Sequence, residues 1–133
     1  LDAIRNWGTA ALITLLEGKE LTLLRVEDLG EEVVRRKMLW FPLPIVDISI
    51  PNEAFEDQWR FVGDELSTLL RQKSDVLVHC RGGLGRAGMI GARLLIDLGM
   101  EPTTAIKKVR AARPGAIQTR EQERYVLDLR ETL

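Results

Sequence analysis

The chain has 133 residues, 45% of them hydrophobic, and a net charge of −1, which suits one domain around one core, residues 1–133, and gives no global electrostatic case for nucleic acid or an acidic membrane surface. A single cysteine excludes an internal disulfide. No apolar run approaches the roughly 18 residues of a membrane span and no signal-peptide pattern is visible, so a soluble, cytoplasmic protein without a membrane anchor is expected.

The elements follow in chain order. Residues 2–7 open with a short helical pattern. Residues 10–16 are apolar apart from Thr14 and predict a buried strand. Residues 25–37 place Val26, Leu29, Val33 and Val34 on a polar background, an amphipathic helix despite Gly30. Residues 38–43 read as a second strand, cut off by Pro42 and Pro44. Residues 52–72 form a long helix capped by Asn52, with Phe55, Trp59, Val62, Leu66 and Leu69 on one face. Its acidic residues Glu53, Glu56 and Asp57 read as a solvated face. Residues 76–79 predict the central strand. Residues 86–98 are nearly apolar throughout and end at Gly99, a core helix. Residues 103–112 and 120–133 complete a helical cluster. The expected class is α/β, with a mostly parallel central sheet flanked by helices on both faces.

Residues 79–88 read His79-Cys80-Arg81-Gly82-Gly83-Leu84-Gly85-Arg86-Ala87-Gly88 and hold the only cysteine and the only histidine. A strand thus delivers a thiol into a glycine-rich turn with a helix N-terminus behind it. The backbone N–H groups of such a turn can converge on a tetrahedral dianion. The same positive field favours the thiolate of Cys80, a nucleophile for phosphorus. Arg86 supplies a planar fork for two oxygens of the anion.

Other readings of this loop fare worse. Gly83-Leu84-Gly85-Arg86-Ala87-Gly88 also satisfies G-x-G-x-x-G. A dinucleotide fingerprint needs a second strand ending in an acid about 20 residues on. That place falls at Glu101-Pro102, between two helical patterns. A nucleoside-triphosphate loop is excluded because Met89-Ile90 follows Gly88 where Lys and Ser or Thr belong. A buried structural cysteine beside a glycine turn would explain neither Arg86 nor the glycines.

The spacing Cys-x5-Arg resembles the signature loop of the protein tyrosine and dual-specificity phosphatases. The string His-Cys-x-Gly-Gly-Leu-Gly-Arg is most similar to that of the cyclin-dependent-kinase-associated phosphatases and their bacterial relatives. Pro44-Ile45-Val46-Asp47, with Pro51 following, resembles their general-acid loop. Arg113-Pro114-Gly115-Ala116-Ile117-Gln118-Thr119 and Gln122 resemble their C-terminal glutamine loop. The resemblance runs from Pro42 to the end and implies a dual-specificity-phosphatase-like fold, with an N-terminal strand pair ahead of Leu1. It implies a phosphoprotein or phosphopeptide substrate hydrolysed through a phosphocysteine, without metal or other cofactor.

Site roles follow on that basis. Cys80 attacks in line, while Arg86 and the backbone of Arg81, Gly82, Gly83, Leu84 and Gly85 hold the phosphate. His79 is expected behind the loop, bonded to it, rather than as a proton donor. A carboxylic acid must then protonate the leaving oxygen, and Asp47 matches the family position. The resemblance gives Gln122, then Gln118, the task of placing water for the second step. Thr119 and Gln122 are equally spaced as a helix capping box. Ala87 departs from the family, whose Ser or Thr at this place helps the thiolate leave. Arg81 is the loop's one charged variable residue and Leu84 an apolar apex, which favours protein phosphates over the inositol and lipid phosphates that form the second reading. A catalytically impaired phosphopeptide-binding module is the third.

Overall fold

The computed structural model describes residues 1–6, 8–82 and 84–129. Its elements run α1 (Asp2–Asn6), β1 (Thr9–Thr14), α2 (Gly18–Leu23), α3 (Leu29–Arg35), β2 (Leu39–Pro42), α4 (Glu53–Arg71), β3 (Asp75–His79), α5 (Arg86–Asp97), α6 (Pro102–Ala112) and α7 (Arg120–Asp128). The three strands form one parallel sheet in the order β2-β1-β3. The apolar run of β1 earns it the central place: Ala11, Leu12 and Ile13 are buried on both faces, as a parallel strand between helices must be.

Alternation along β1 divides the core. Ala11, Ile13 and Leu15 join Phe41, Leu43, Phe55, Trp59, Met89, Ile90 and Ile106 in the larger cluster, under α4, α5, α6 and α7. Leu12 faces the other way with Val33 and Met38, against Ile4, Leu29, Trp40 and Leu77. Helices therefore cover both faces of the sheet, as the apolar patterns predict. The carboxyl ends of β1, β2 and β3 lead into residues 15–17, 43–52 and 80–85, so three loops meet at one edge.

Several local expectations are met by specific bonds. Asn52 Oδ1 accepts from Phe55 N at 2.9 Å and caps α4. Pro102 takes the first position of α6, where its missing N–H costs nothing. Gly99 ends α5 with φ near +108°, the left-handed geometry a glycine tolerates.

Three expectations need correction. Residues 17–24, given no element from sequence, contain α2, whose Glu20 carboxylate accepts from Glu17 N. The predicted helix at 25–37 shrinks to Leu29–Arg35: Arg25 adopts φ 59°, and Val26 N reaches back to Leu21 O, closing α2. Glu56 is not simply part of a solvated face: it is half-buried, Arg93 Nη1 donates to both its oxygens at 2.7 Å and the Tyr125 hydroxyl donates at 2.7 Å. The guanidinium of Arg93 also lies 4.9 Å from the Trp59 ring. Trp7 and residues 130–133, within predicted helices, lie outside the described residues.

Gly30 is needed where α3 crosses β2. A Cβ built there would lie 2.2 Å from Trp40 Cζ3. Gly30→Ala is expected to lower stability by about 1–3 kcal/mol through overpacking, although alanine is the better helix former. A denaturant midpoint equal to or above wild type would contradict this packing.

Candidate functional site

The glycine-rich loop joins β3 to the N-terminus of α5. Cys80 Sγ accepts a hydrogen bond from Ala87 N at 3.3 Å, so the sulfur satisfies one of the N–H groups that every helix start leaves unpaired. Gly85, the residue before the helix, is closely covered: a Cβ there would sit 2.6 Å from Gln118 Oε1 and 3.0 Å from the Gln122 amide. Gly88, one turn into α5, meets the Ile117 backbone in the same way. Gly82 adopts φ +82°. Arg81 is exposed, Leu84 half-buried, and Gly83 lies outside the described residues.

Arg86, expected to project a fork, is only 1% exposed. Its Nη1 donates to Glu20 Oε1 at 2.7 Å and to Ile45 O at 2.9 Å, while Nη2 donates to Glu20 Oε2 at 2.9 Å. This is a bidentate carboxylate pair along one edge of the guanidinium. On the other edge Nε is buried without a partner among the described residues. Burial works against the Arg86 charge, but the hydrogen bonds and charge of Glu20, with Asp47 and Cys80 adding to them, raise its titration above the ordinary arginine range. The Glu20 carboxyl is held below its ordinary range chiefly by the Arg86 hydrogen bonds, against the opposing effect of burial. A carboxyl depressed in the folded state contributes stability at neutral pH that is lost as pH falls below the ordinary glutamate range.

Sequence reasoning missed Glu20. Its signal was the Glu17-x-x-Glu20 spacing directly after a buried strand, which resembles a capping box with glutamate in place of the usual Ser or Thr.

Asp47 lies in the turn after β2. Its Oδ1 accepts from Ile48 N at 2.9 Å, and Ile48 sits at φ 64°. The same oxygen is 3.4 Å from Arg86 Nη2. Asp47 thus reaches Arg86, with about half its side chain open to solvent.

The C-terminal loop braces the glycine loop. Ile117 N donates to Leu84 O at 2.8 Å and Arg113 Nη2 to Gly82 O at 3.1 Å. Arg110 holds that brace by donating to Ala116 O and Ile117 O. Gln122 is fully buried. Its Oε1 accepts from Gln118 N and Thr119 N, its Nε2 donates to Ser49 O at 3.2 Å, and Thr119 Oγ1 accepts from Gln122 N. The capping box is formed, and through Ser49 it ties α7 to the loop that carries Asp47. Gln118 is exposed, with Oε1 lying over Gly85.

His79 Nε2 lies 2.7 Å from Thr14 Oγ1, and burial lowers the ring's titration below the ordinary histidine value. Through Nε2 the imidazole is tied to β1. No helix among the described residues is long and apolar enough to cross a membrane.

The sequence and fold have counterparts among known proteins. Residues 7–126 match the family model described as Swiss Army Knife protein, DSP-PTPase phosphatase domain. Cyclin-dependent kinase inhibitor 3 of Rattus norvegicus is 34% identical over 135 residues, covering 99% of this chain and 62% of the relative. The PRL-1 phosphatase of Drosophila melanogaster is 36% identical over 83 residues, 56% of this chain and 47% of its own length. Among solved structures, the kinase associated phosphatase with its catalytic-site cysteine replaced by serine superposes with a TM-score of 0.87 at 30% identity, over 99% of this chain and 74% of that one. The active form of Tk-PTP gives 0.76 at 30% identity, over 99% and 84%. The chain spans about three-fifths of the length of the cyclin-dependent kinase inhibitor relative. With the family model covering nearly all of it, this chain belongs to the DSP-PTPase family of phosphatase domains.

Proposed function

We propose that the chain hydrolyses phosphoserine, phosphothreonine and phosphotyrosine monoesters through a phosphocysteine intermediate. The observation that carries this reading is the state of Arg86: one edge locked by Glu20, and Nε on the other edge buried, with no partner among the described residues. Such a donor suits an oxyanion, and a guanidinium fixed before the anion arrives needs no reorganisation as charge develops.

In this reading the phosphate dianion takes the Nε–Nη2 edge, displacing Asp47 from its 3.4 Å contact and freeing the carboxyl for the leaving oxygen. The Cys80 thiolate forms the S–P bond as the P–O bond to the substrate breaks, and Asp47 passes its proton to the departing alkoxide or phenoxide. Because Leu84 O is held outward by Ile117 N, peptide planarity turns the Gly85 N–H away from the C-terminal loop, a direction that suits phosphate binding. In the second step water attacks phosphorus, the S–P bond breaks, and Asp47 takes up the water's proton. Gln118, exposed over Gly85, suits the placing of that water better than Gln122, whose amide is occupied at both ends. The Ala87 N–H on Sγ offers the departing thiolate a backbone donor where the family's side-chain hydroxyl is missing.

The kinase associated phosphatase similarity and the single charged side chain at Arg81 support protein phosphates over inositol phosphates. Phosphopeptides of each type, assayed beside inositol and lipid phosphates with p-nitrophenyl phosphate as control, test that choice. Highest turnover on inositol phosphates would reverse it.

Cys80→Ser is expected to abolish turnover while still binding inorganic phosphate, since its hydroxyl is not ionised by the cradle alone. EDTA is expected to leave the wild type fully active. Substantial activity in Cys80→Ser, or loss of activity in EDTA, would contradict the thiolate mechanism.

Asp47→Asn is expected to slow hydrolysis of a phosphoserine peptide by about 10²–10⁴-fold, with a smaller effect on p-nitrophenyl phosphate, whose leaving group needs little proton transfer. Equal slowing of both substrates would remove Asp47 from the acid role.

A further inference from the structure

We propose that Thr14 and Trp40 are positioning residues that hold His79 as the neutral ring with its proton on Nδ1. This inference deepens the proposed function and rests on it for its catalytic meaning, but its structural content stands on hydrogen-bond chemistry alone.

The sheet register brings the three together. Thr14 pairs with His79 across β1 and β3, and Leu12, two residues earlier on the same face of β1, pairs with Trp40 on β2. One side chain from each strand thus meets on the face covered by α3. Trp40 Nε1 donates to Thr14 Oγ1 at 2.8 Å, and Thr14 Oγ1 lies 2.7 Å from His79 Nε2. The indole N–H is a donor only, so it occupies one lone pair of the hydroxyl.

Two arrangements of the remaining proton are then open. In one, the Thr14 O–H donates to His79 Nε2, every group in the line is paired, and the neutral ring carries its proton on Nδ1. In the other, Nε2–H donates to the second lone pair of Thr14, and the threonine proton must find a different acceptor. Thr14 is 0% exposed, and no acceptor for its hydroxyl other than His79 is found among the described residues. A buried, unpaired hydroxyl is costly, so the first arrangement prevails. An imidazolium faces the same obstacle, because it too would bring Nε2–H against an oxygen already receiving the indole N–H.

Trp40 is itself fixed from behind, its ring against the backbone of Gly30 in α3. The line therefore runs from the outer helix, through all three strands, to the residue immediately before Cys80. His79 becomes an acceptor toward the sheet and a donor through Nδ1, the nitrogen beside its own backbone. It acts through the loop that carries Cys80 and does not touch the reacting atoms.

Because His79 is the only histidine, long-range 1H–15N NMR of the imidazole reads it without assignment. The wild type is expected to show a protonated Nδ1 and an unprotonated Nε2 at neutral pH. Thr14→Ser is expected to keep that pattern, whereas Thr14→Val and Trp40→Phe lose it to a mixture of the two tautomers. In parallel, Thr14→Val should lower kcat on p-nitrophenyl phosphate by about tenfold, the worth of one hydrogen bond, with KM little changed and Thr14→Ser restoring the rate. A wild-type ring protonated at Nε2 would overturn the proposal, as would variants whose spectra and kcat both match wild type. If Thr14→Val fails to fold, the wild-type and Trp40→Phe spectra still decide. A wild type inactive on every phosphomonoester would remove the proposed function, while the imidazole spectrum would still settle the tautomer.

Discussion

The guanidinium of Arg86 is almost wholly out of water, and each partner that makes this tolerable comes from a different part of the chain. Glu20 is supplied by α2, Leu15 by the loop after β1 and Ile45 by the loop after β2. Desolvating an ion pair costs several kcal/mol per ion, repaid only when the geometry is good and the remaining N–H groups are bonded. Here a bidentate contact at 2.7 and 2.9 Å and a carbonyl at 2.9 Å meet that demand on one edge. The other edge is left short of a partner at Nε among the described residues. Apolar side chains of similar volume could stabilise a core equally well. What the pair adds is a fixed direction for the guanidinium and a tie among the three loops at the sheet's carboxyl edge.

That edge is assembled by the parallel order β2-β1-β3, which brings three connections together without any of them being long. The C-terminal segment completes it from outside. Arg110 holds the carbonyls of Ala116 and Ile117, Ile117 and Arg113 hold the glycine loop, and Gln122 reaches the loop that carries Asp47 through Ser49. The tight spaces at Gly85 and Gly88 favour small residues: a Cβ at Gly88 would meet the Ile117 backbone at 2.9 Å, and one at Gly85 would displace the side chains of Gln118 and Gln122. Loop order here comes from helix ends and backbone carbonyls more than from side-chain packing.

Much of this was legible in the sequence, for identifiable reasons. Buried parallel strands announce themselves as apolar runs, and prolines 42 and 44 mark where β2 stops. Helices α4 and α5 carry long periodic patterns, and the loop from Cys80 to Arg86 has a spacing that few other chemistries need. The short helix α2 was not legible, because six residues carry too little periodicity to distinguish a turn of helix from a loop. Glu20 and Glu56 were missed for a related reason. A glutamate is solvated by default; the arrival of Arg86 buries Glu20, and Arg93 with Tyr125 engages a Glu56 that stays about one-third open to solvent. Residues 25–28 kept a helical pattern but yielded to the left-handed turn at Arg25. Gln122 satisfied two sequence signals at once, and the structure gives its amide to the capping box and to Ser49.

The central claim is that Glu20 keeps Arg86 oriented for an anion. Calorimetric titration of inorganic phosphate into wild type and Glu20→Gln at neutral pH tests it most directly, with circular dichroism confirming that both are folded. The account predicts that Glu20→Gln binds phosphate at least about tenfold more weakly, a loss of roughly 1.4 kcal/mol, because one arm of the bidentate brace becomes a donor facing a donor. Equal or tighter phosphate binding by folded Glu20→Gln would contradict it.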